Sequence, residues 1–132
     1  MLLPDWVWHV PYDAELHPRA VPRSSMRDGA NCQLFAYEVL GMHGLVVPDL
    51  WSSELWEDDA ATVVVDDPKP LDLVFFSKDS ESYGAHLGVV VGDDQVLHLC
   101  QEVGRPVVWT MADFAARSRY AVMLGYKRVR QP

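Results

Sequence analysis

Cys32 lies at the start of a predicted helix, where a thiol could act as a nucleophile. The segment GANCQLFAYEVLG, residues 29–41, has Asn31 as a good N-cap and apolar residues at helical spacing, which predicts a helix over 31–43. In the first turn, the positive end of the helix dipole favours a thiolate, and free backbone N–H groups can receive an oxyanion. We therefore expect Cys32 to have a lowered pKa and to act as a nucleophile.

A nucleophilic thiol needs a base, and histidine is the usual one. His43 is on the same predicted helix as Cys32, three turns away, and cannot reach it. His9 and His17 lie in a proline-rich arm at the N-terminus. The remaining candidates are the two histidines of a predicted hairpin, His86 and His98.

The hairpin decides whether these two histidines meet. Predicted strands 84–92 and 95–100 flank the turn sequence GDD. A three-residue loop would place Gly88 opposite His98, and His86 and His98 would then be diagonal neighbours on one face, with Cα atoms roughly 7–8 Å apart. One histidine could then fix the tautomer of the other. A shift of one residue in register would put them on opposite faces.

Each of these residues also has a structural interpretation. A buried cysteine is more often part of a core than a nucleophile, and a histidine in a strand is more often structural. A metal site formed by His86, His98, Cys100 and Asp93 or Asp94 is an alternative, but no ligand spacing among them is diagnostic. The combination of a capped-helix cysteine with two histidines on one hairpin favours catalysis, so we expect no metal.

The remaining pattern predicts one α+β domain, 1–132, with an extended arm (1–28) followed by a catalytic core (29–132). A short helix is predicted near 12–17, another with Ser52 or Ser53 as its cap, and a third over 110–118 with Thr110 as its cap. Strands are predicted at 61–65, 71–76, 84–92, 95–100, 105–110 and 120–129.

Charge and hydropathy restrict the partners. The net charge of −8 argues against nucleic acid or an anionic membrane. The basic segment YKRVR, 126–130, is expected to be a solvated strand end. The N-terminus does not resemble a signal peptide, so a cytoplasmic location is expected, with a phage particle or a trimmed secreted chain as alternatives. Cys32 and Cys100, with no CxxC motif, are expected to be reduced.

Four features together resemble the NlpC-type cell-wall peptidases, a papain-like family of cysteine hydrolases. They are NCQLFAYEVL, KPLDLVFF, HLGVVVGDDQVLHL and the spacing of 12 between His86 and His98. The resemblance implies a papain-like fold, with the nucleophile helix packed on an antiparallel sheet. It also implies Cys32 as the nucleophile, His86 as the general base and His98 as the residue that orients His86. The implied reaction is hydrolysis of an amide through a thioester, in a peptide or muropeptide, without a cofactor.

The sequence departs from the family pattern around the cysteine. Asn31 replaces Asp, Gln33 and Leu34 replace Ser and Gly, and Leu71 replaces the Gly of GDLVFF. Two alternatives therefore remain: acyl transfer from a lipid or thioester donor, or a non-catalytic binding domain in which Gln33 and Leu34 narrow the site. The oligomeric state is open. The basic residues that could bind a substrate carboxylate are Arg23, Arg27 and Lys78.

Overall fold

A computed structural model describes residues 3–22 and 25–131. The helices are α1 (Cys32–Gly41), α2 (Ser52–Glu57) and α3 (Met111–Ala115). The strands are β1 (Thr62–Val65), β2 (Leu73–Ser77), β3 (His86–Gly92), β4 (Gln95–Leu99), β5 (Pro106–Trp109) and β6 (Val122–Val129). They form one six-stranded antiparallel sheet in the order β1-β6-β2-β3-β4-β5. The predicted α+β class is confirmed.

Helix α1 begins where the sequence predicts. The side chain of Asn31 accepts a hydrogen bond from the backbone N–H of Leu34 at 2.8 Å, as an N-cap should. Thr110 caps α3 in the same way, with Asp113 reaching back to its N–H. The predicted cap of α2 is wrong. Trp51 is the N-cap, its N–H is bound by Glu54, and the Ser52 hydroxyl donates to another loop.

The sheet separates two apolar cores because side chains alternate along its strands. On one face, Leu73, Phe75 and Leu87 pack with α1 in the larger core. On the other face, Val74 and Phe76 pack in a second core. That core is completed by Val96, Cys100, Trp109, Phe114 and Tyr120. The second core bears on the candidate site because both hairpin histidines pack against its rings.

The β3–β4 hairpin differs from the prediction in its turn. Gly92 pairs with Gln95, so the loop has two residues rather than three, and a register shift follows between Val90 and Gly92. This bulge leaves Val91 as an extra residue on β3. Beyond it, Val89 pairs with Leu97, and one further step places Gly88 opposite His98, as predicted. The shorter loop and the bulge compensate for each other, so the side chains of His86 and His98 lie on the same face of the hairpin.

The N-terminal arm is held against the domain without the helix predicted near 12–17, which is wrong. Those residues form a turn in which the Asp13 carboxylate accepts from the Glu15 N–H at 3.0 Å, an alternative to helix that aspartate favours. Two 3₁₀ helices, Asp5–His9 and Met26–Asp28, occur elsewhere in the arm. Val7 is fully buried in the core beneath α1.

The basic end of β6 is not solvated as expected. Lys127 is fully buried, and its Nζ donates to the carbonyls of Leu55 at 2.7 Å, Trp56 at 3.0 Å and Asp58. These carbonyls belong to the last turn of α2 and the residue after it, where carbonyl groups have no N–H donor within the helix. The ammonium therefore caps α2 and ties it to the sheet. In the described part of the chain, no helix is both long and apolar enough to span a membrane.

Candidate active site

A cleft of about 670 Å³ brings the predicted catalytic residues together. Cys32 reaches it from the first residue of α1, and His86 from the first residue of β3. Tyr120 lines it from the 3₁₀ helix Ser118–Tyr120, and Cys100 from the end of β4. His98 lies behind His86 and is fully buried. The cleft thus joins the helix on one face of the sheet to the histidine pair on the other.

The surroundings of Cys32 oppose ionisation. Burial raises the pKa of its thiol to about 11, although backbone hydrogen bonds from Leu87 and Gln33 favour the thiolate. The dipole of a helix end contributes at most about 2 kcal/mol, which is less than the cost of burying a charge here. The predicted lowering of the Cys32 pKa is therefore wrong for this structure. At neutral pH the group is a thiol.

The two histidines form a direct hydrogen bond. His86 Nε2 and His98 Nδ1 are 2.9 Å apart, and the rings are nearly perpendicular, at 89°. Burial, then His98 and the Arg119 charge, lower the pKa of His86 well below its usual value. Burial and the Arg117 charge lower the pKa of His98 to about 3. Both imidazoles are therefore neutral at pH 7, and one of them donates an N–H to the other.

Aromatic rings surround the histidine pair. Trp109 and Phe114 lie 4.3 and 4.6 Å from His98, measured between ring centroids. Tyr120 lies 4.5 Å from His86 by the same measure. Burial raises the pKa of the Tyr120 hydroxyl to about 12, so the phenol is neutral. These rings pack around both imidazoles and exclude water from His98, while His86 still lines the cleft.

Gly88 allows the two strands to approach behind the histidines. A Cβ atom at this position would collide with the Val96 side chain and would lie 3.5 Å from the Cβ of His98. Any larger residue would therefore push β4 away from β3. Because the hydrogen bond between His86 and His98 spans these strands, its 2.9 Å length depends on the absent side chain.

The residues that could have blocked the site point elsewhere. Gln33 donates from Nε2 to the Leu50 carbonyl at 2.6 Å and to the Tyr37 hydroxyl at 2.9 Å, so it fastens the segment after α1. Leu34 is fully buried in the larger core. Neither lines the cleft. These two side chains therefore do not block the cleft, although they are larger than the Ser and Gly of the family pattern.

Sequence reasoning missed several residues of the cleft. Tyr12, Arg119 and Tyr120 line it but come from segments far from the motifs. No spacing signal identified them, since their position depends on how the arm and the 3₁₀ helix pack. Of the basic residues named from the sequence, Lys78 lines the cleft, while Arg27 lies over the ring of Trp6. Arg23 lies outside the described residues.

The alternative metal site is not assembled. Within residues 3–22 and 25–131, no three histidine, cysteine or acidic side chains cluster as metal ligands would. Asp94 is at the hairpin turn, and its carboxylate accepts from the N–H of Met111 at 2.8 Å. That interaction commits Asp94 to the start of α3 instead of to the histidines.

Solved structures with the same architecture are NlpC/P60 proteins. An NlpC/P60 family protein from Bacillus cereus matches with a TM-score of 0.65 and 20% identity, over 91% of this chain and 35% of its own. The NlpC/p60 domain of the peptidoglycan hydrolase SagA matches with a TM-score of 0.59 and 18% identity, over 96% of this chain and 90% of that domain.

The peptidoglycan hydrolase RipB from Mycobacterium tuberculosis matches with a TM-score of 0.62 and 21% identity, over 92% of this chain and 57% of its own. The present chain thus spans about a third of the Bacillus protein and just over half of RipB. No family model matches the sequence, and no curated protein matches it. The chain has the papain-like NlpC/P60 fold, and the resemblance that the sequence predicts is confirmed at the level of the fold.

Proposed function

We propose that this chain is a cysteine hydrolase that cleaves an amide bond in a peptidoglycan-type peptide, with Cys32, His86 and His98 as its triad. One observation carries the proposal. A thiol at the N-terminus of α1 shares a cleft with an imidazole whose far nitrogen, Nε2, is held by a second imidazole at 2.9 Å. A nucleophile, a base and a group that orients the base are the three parts such chemistry requires.

The structural relatives support the choice of substrate. SagA and RipB are both described as peptidoglycan hydrolases, and they share this fold over more than nine-tenths of the present chain. The cleft also carries charges of both signs, Lys78 and Arg119 as cations and Asp79 and Glu81 as anions. A peptide with free amino and carboxylate groups suits such a lining.

The proposed reaction starts from the neutral pair. As Sγ of Cys32 attacks the carbonyl carbon, its proton moves to Nδ1 of His86, and the resulting imidazolium donates from its Nε2–H to Nδ1 of His98. The oxyanion accepts hydrogen bonds from the backbone N–H groups of Cys32 and Gln33 at the start of α1. His86 then protonates the leaving amine, the C–N bond breaks, and a thioester remains on Cys32.

Water completes the cycle. His86, neutral again, takes a proton from a water molecule as its oxygen attacks the thioester carbon. The C–S bond breaks, the sulphur recovers the proton from His86, and the product leaves as a carboxylic acid that loses its remaining proton to solvent. Because the pKa of Cys32 is raised and that of His86 is lowered, the thiolate is formed only as the attack proceeds.

A second candidate is a non-catalytic binding domain, and the raised pKa of Cys32 favours it. Acyl transfer from a lipid donor is less well supported, because charged residues such as Arg119 and Asp79 line the cleft where an acyl chain would need apolar surface. Binding without turnover would leave muropeptides intact while protecting Cys32 from alkylation.

Turnover of a muropeptide mixture separates these candidates. Wild type, Cys32→Ala, His86→Ala and the control His43→Gln are incubated with the mixture, and new free amines are identified by mass spectrometry. His43 is exposed at the end of α1 and lies outside the cleft. The proposal expects new amines from wild type and His43→Gln, and none from Cys32→Ala or His86→Ala. Equal product from Cys32→Ala would refute the assigned nucleophile, and binding without product would favour the second candidate.

A further inference from the structure

One buried nitrogen of the histidine pair is without a partner. His98 is fully buried, and its Nε2 atom makes no hydrogen bond with any described residue. Its Nδ1 atom is already engaged by His86. An unsatisfied buried polar atom is costly, so the surroundings of Nε2 must suit either its protonated or its bare form better.

The hydrogen bond between His86 and His98 allows two arrangements. In the first, His86 Nε2–H donates to His98 Nδ1, so His98 carries its own hydrogen on Nε2 and the Nδ1 of His86 has a free lone pair. In the second, His98 Nδ1–H donates to His86 Nε2, so the Nε2 of His98 is bare and the Nδ1 of His86 is protonated. Only the first leaves His86 able to accept a proton.

The rings around His98 favour the first arrangement. Trp109 packs against it at 4.3 Å with an interplanar angle of 63°, and Phe114 at 4.6 Å with 50°. The face of an aromatic ring is negative, so it attracts an N–H and repels a lone pair. A bare Nε2 on an imidazole packed between these rings lacks a donor, whereas a protonated Nε2 has aromatic faces as its available acceptors. Arg117, stacked 3.9 Å above the Trp109 ring, is the nearby cation.

We propose that Trp109 and Phe114 set the tautomer of the histidine pair, keeping hydrogen on Nε2 of both His98 and His86 and leaving Nδ1 of His86 free. Trp109 and Phe114 are then positioning residues, which act through His98. The proposed tautomer rests on the ring contacts of His98, and its catalytic consequence rests on the proposed function.

Nitrogen NMR tests the tautomer directly. The wild-type protein, labelled with ¹⁵N-histidine, is observed at pH 7 in two-bond ¹H–¹⁵N correlation spectra, which distinguish protonated from bare ring nitrogens. Signals are assigned by comparison with His98→Asn and with His43→Gln. We expect hydrogen on Nε2 and a bare Nδ1 in both His86 and His98. Hydrogen on Nδ1 of His98 would overturn the proposal.

Variants of the rings give a second measurement. Trp109→Phe keeps an aromatic face and should keep the tautomer, while Trp109→Leu combined with Phe114→Leu should shift the pair toward hydrogen on Nδ1 of His98. We expect kcat to fall by about tenfold in the double variant with KM unchanged, in proportion to the tautomer shift. A double variant that folds and keeps the wild-type tautomer would also overturn the proposal.

The two proposals fail in different ways. If the spectra show the expected tautomer and no muropeptide is cleaved, the ring effect stands and the proposed hydrolase function fails. If muropeptides are cleaved by a protein whose His98 carries hydrogen on Nδ1, the hydrolase function stands and the role of Trp109 and Phe114 fails.

Discussion

The backbone N–H of Leu87 lies close enough to the sulphur of Cys32 to favour its thiolate, so the first turn of α1 meets the strand that carries His86. Leu87 points into the larger core beneath α1, while its neighbour His86 contacts the rings of the second core. Because side chains alternate between the two faces along β3, the residue that contacts the Cys32 thiol and the residue that carries the imidazole are neighbours in the sequence. This relationship explains how a helix and a histidine pair on opposite faces of the sheet serve one cleft.

The first prediction concerns the ionisation of Cys32. Because burial raises its pKa to about 11, alkylation by iodoacetamide should increase with pH up to an inflection near that value. The rate is measured between pH 6 and 11.5, with modification of Cys32 quantified separately from Cys100 by peptide mass spectrometry. His86→Ala should leave the inflection above 9. An inflection below about 8.5, the value for a free thiol, would show that the site forms a thiolate–imidazolium pair instead.

The second prediction concerns stability in acid. The pKa values of His86 and His98 lie below the unfolded value of 6.5, so below that pH the unfolded chain binds protons that the native state does not. Stability should therefore be complete above pH 6.5 and should fall as the pH decreases, by about 2 kcal/mol between pH 7 and 5 for His98, whose pKa is about 3, with a loss in the same direction for His86. Urea unfolding at the two pH values measures this difference.

The control for the acid effect is a histidine outside the pair. His43→Gln should keep the full difference between pH 7 and 5, whereas the double variant His86→Gln/His98→Gln should lose most of it. A double variant with the wild-type dependence would show that other groups are responsible for the loss of stability.

Much of the site could be predicted because its determinants are local. The cap at Asn31 defines the start of α1, and the even spacing of 12 places His86 and His98 on one face of a hairpin whose loop has three residues. The turn was predicted one residue too long, yet the bulge at Val91 restored the register. The alternation pattern of a sequence does not reveal a β-bulge. The predicted pairing of Gly88 with His98 is therefore correct only because the bulge offsets the error in loop length.

Other features depend on tertiary burial and could not be predicted. The pKa of Cys32 is set by desolvation, and the helix position alone suggested the opposite direction. Lys127 looked like part of a solvated basic end because its carbonyl partners in α2 are about 70 residues away. Leu71 has φ of +78°, a backbone conformation that favours glycine, and the sequence pattern did not indicate that a leucine adopts it here.

The third prediction tests the buried lysine. Lys127→Met should lower the free energy of unfolding by about 2–4 kcal/mol, since the carbonyls of Leu55, Trp56 and Asp58 lose their donor. Urea unfolding at pH 7 measures the loss. The matched control Lys78→Met replaces an exposed lysine and should change stability by less than about 0.5 kcal/mol. A loss as small in Lys127→Met as in the control would contradict the capping role.

The fourth prediction separates the hydrogen bond that His98 makes with His86 from the space that its side chain fills. Asparagine can place an oxygen near the position of Nδ1, whereas leucine cannot accept a hydrogen bond. We expect His98→Asn to retain most of kcat and His98→Leu to lose roughly 10²-fold, with KM little changed in both. Steady-state kinetics with the muropeptide that the wild type cleaves measures kcat and KM for both variants. Equal losses in the two variants would indicate that His98 serves packing rather than orientation of His86.

The fifth prediction concerns Arg119, which lines the cleft beside His86 and Tyr120. Its charge is suited to a substrate carboxylate, and a charge-assisted hydrogen bond at an exposed position is worth roughly tenfold in binding. Arg119→Met should therefore raise KM about tenfold for a peptide with a free carboxylate and leave KM unchanged for the same peptide amidated at that group.

Arg130→Met is the matched control for this experiment. Arg130 follows β6, donates to the Asp59 carbonyl at 3.2 Å and lies outside the cleft, so its loss should leave both KM values unchanged. If Arg119→Met weakens the carboxylate and amide peptides equally, Arg119 contributes to the shape of the cleft and not to recognition of charge. If neither value changes, the carboxylate lies elsewhere, and Lys78 becomes the next residue to replace.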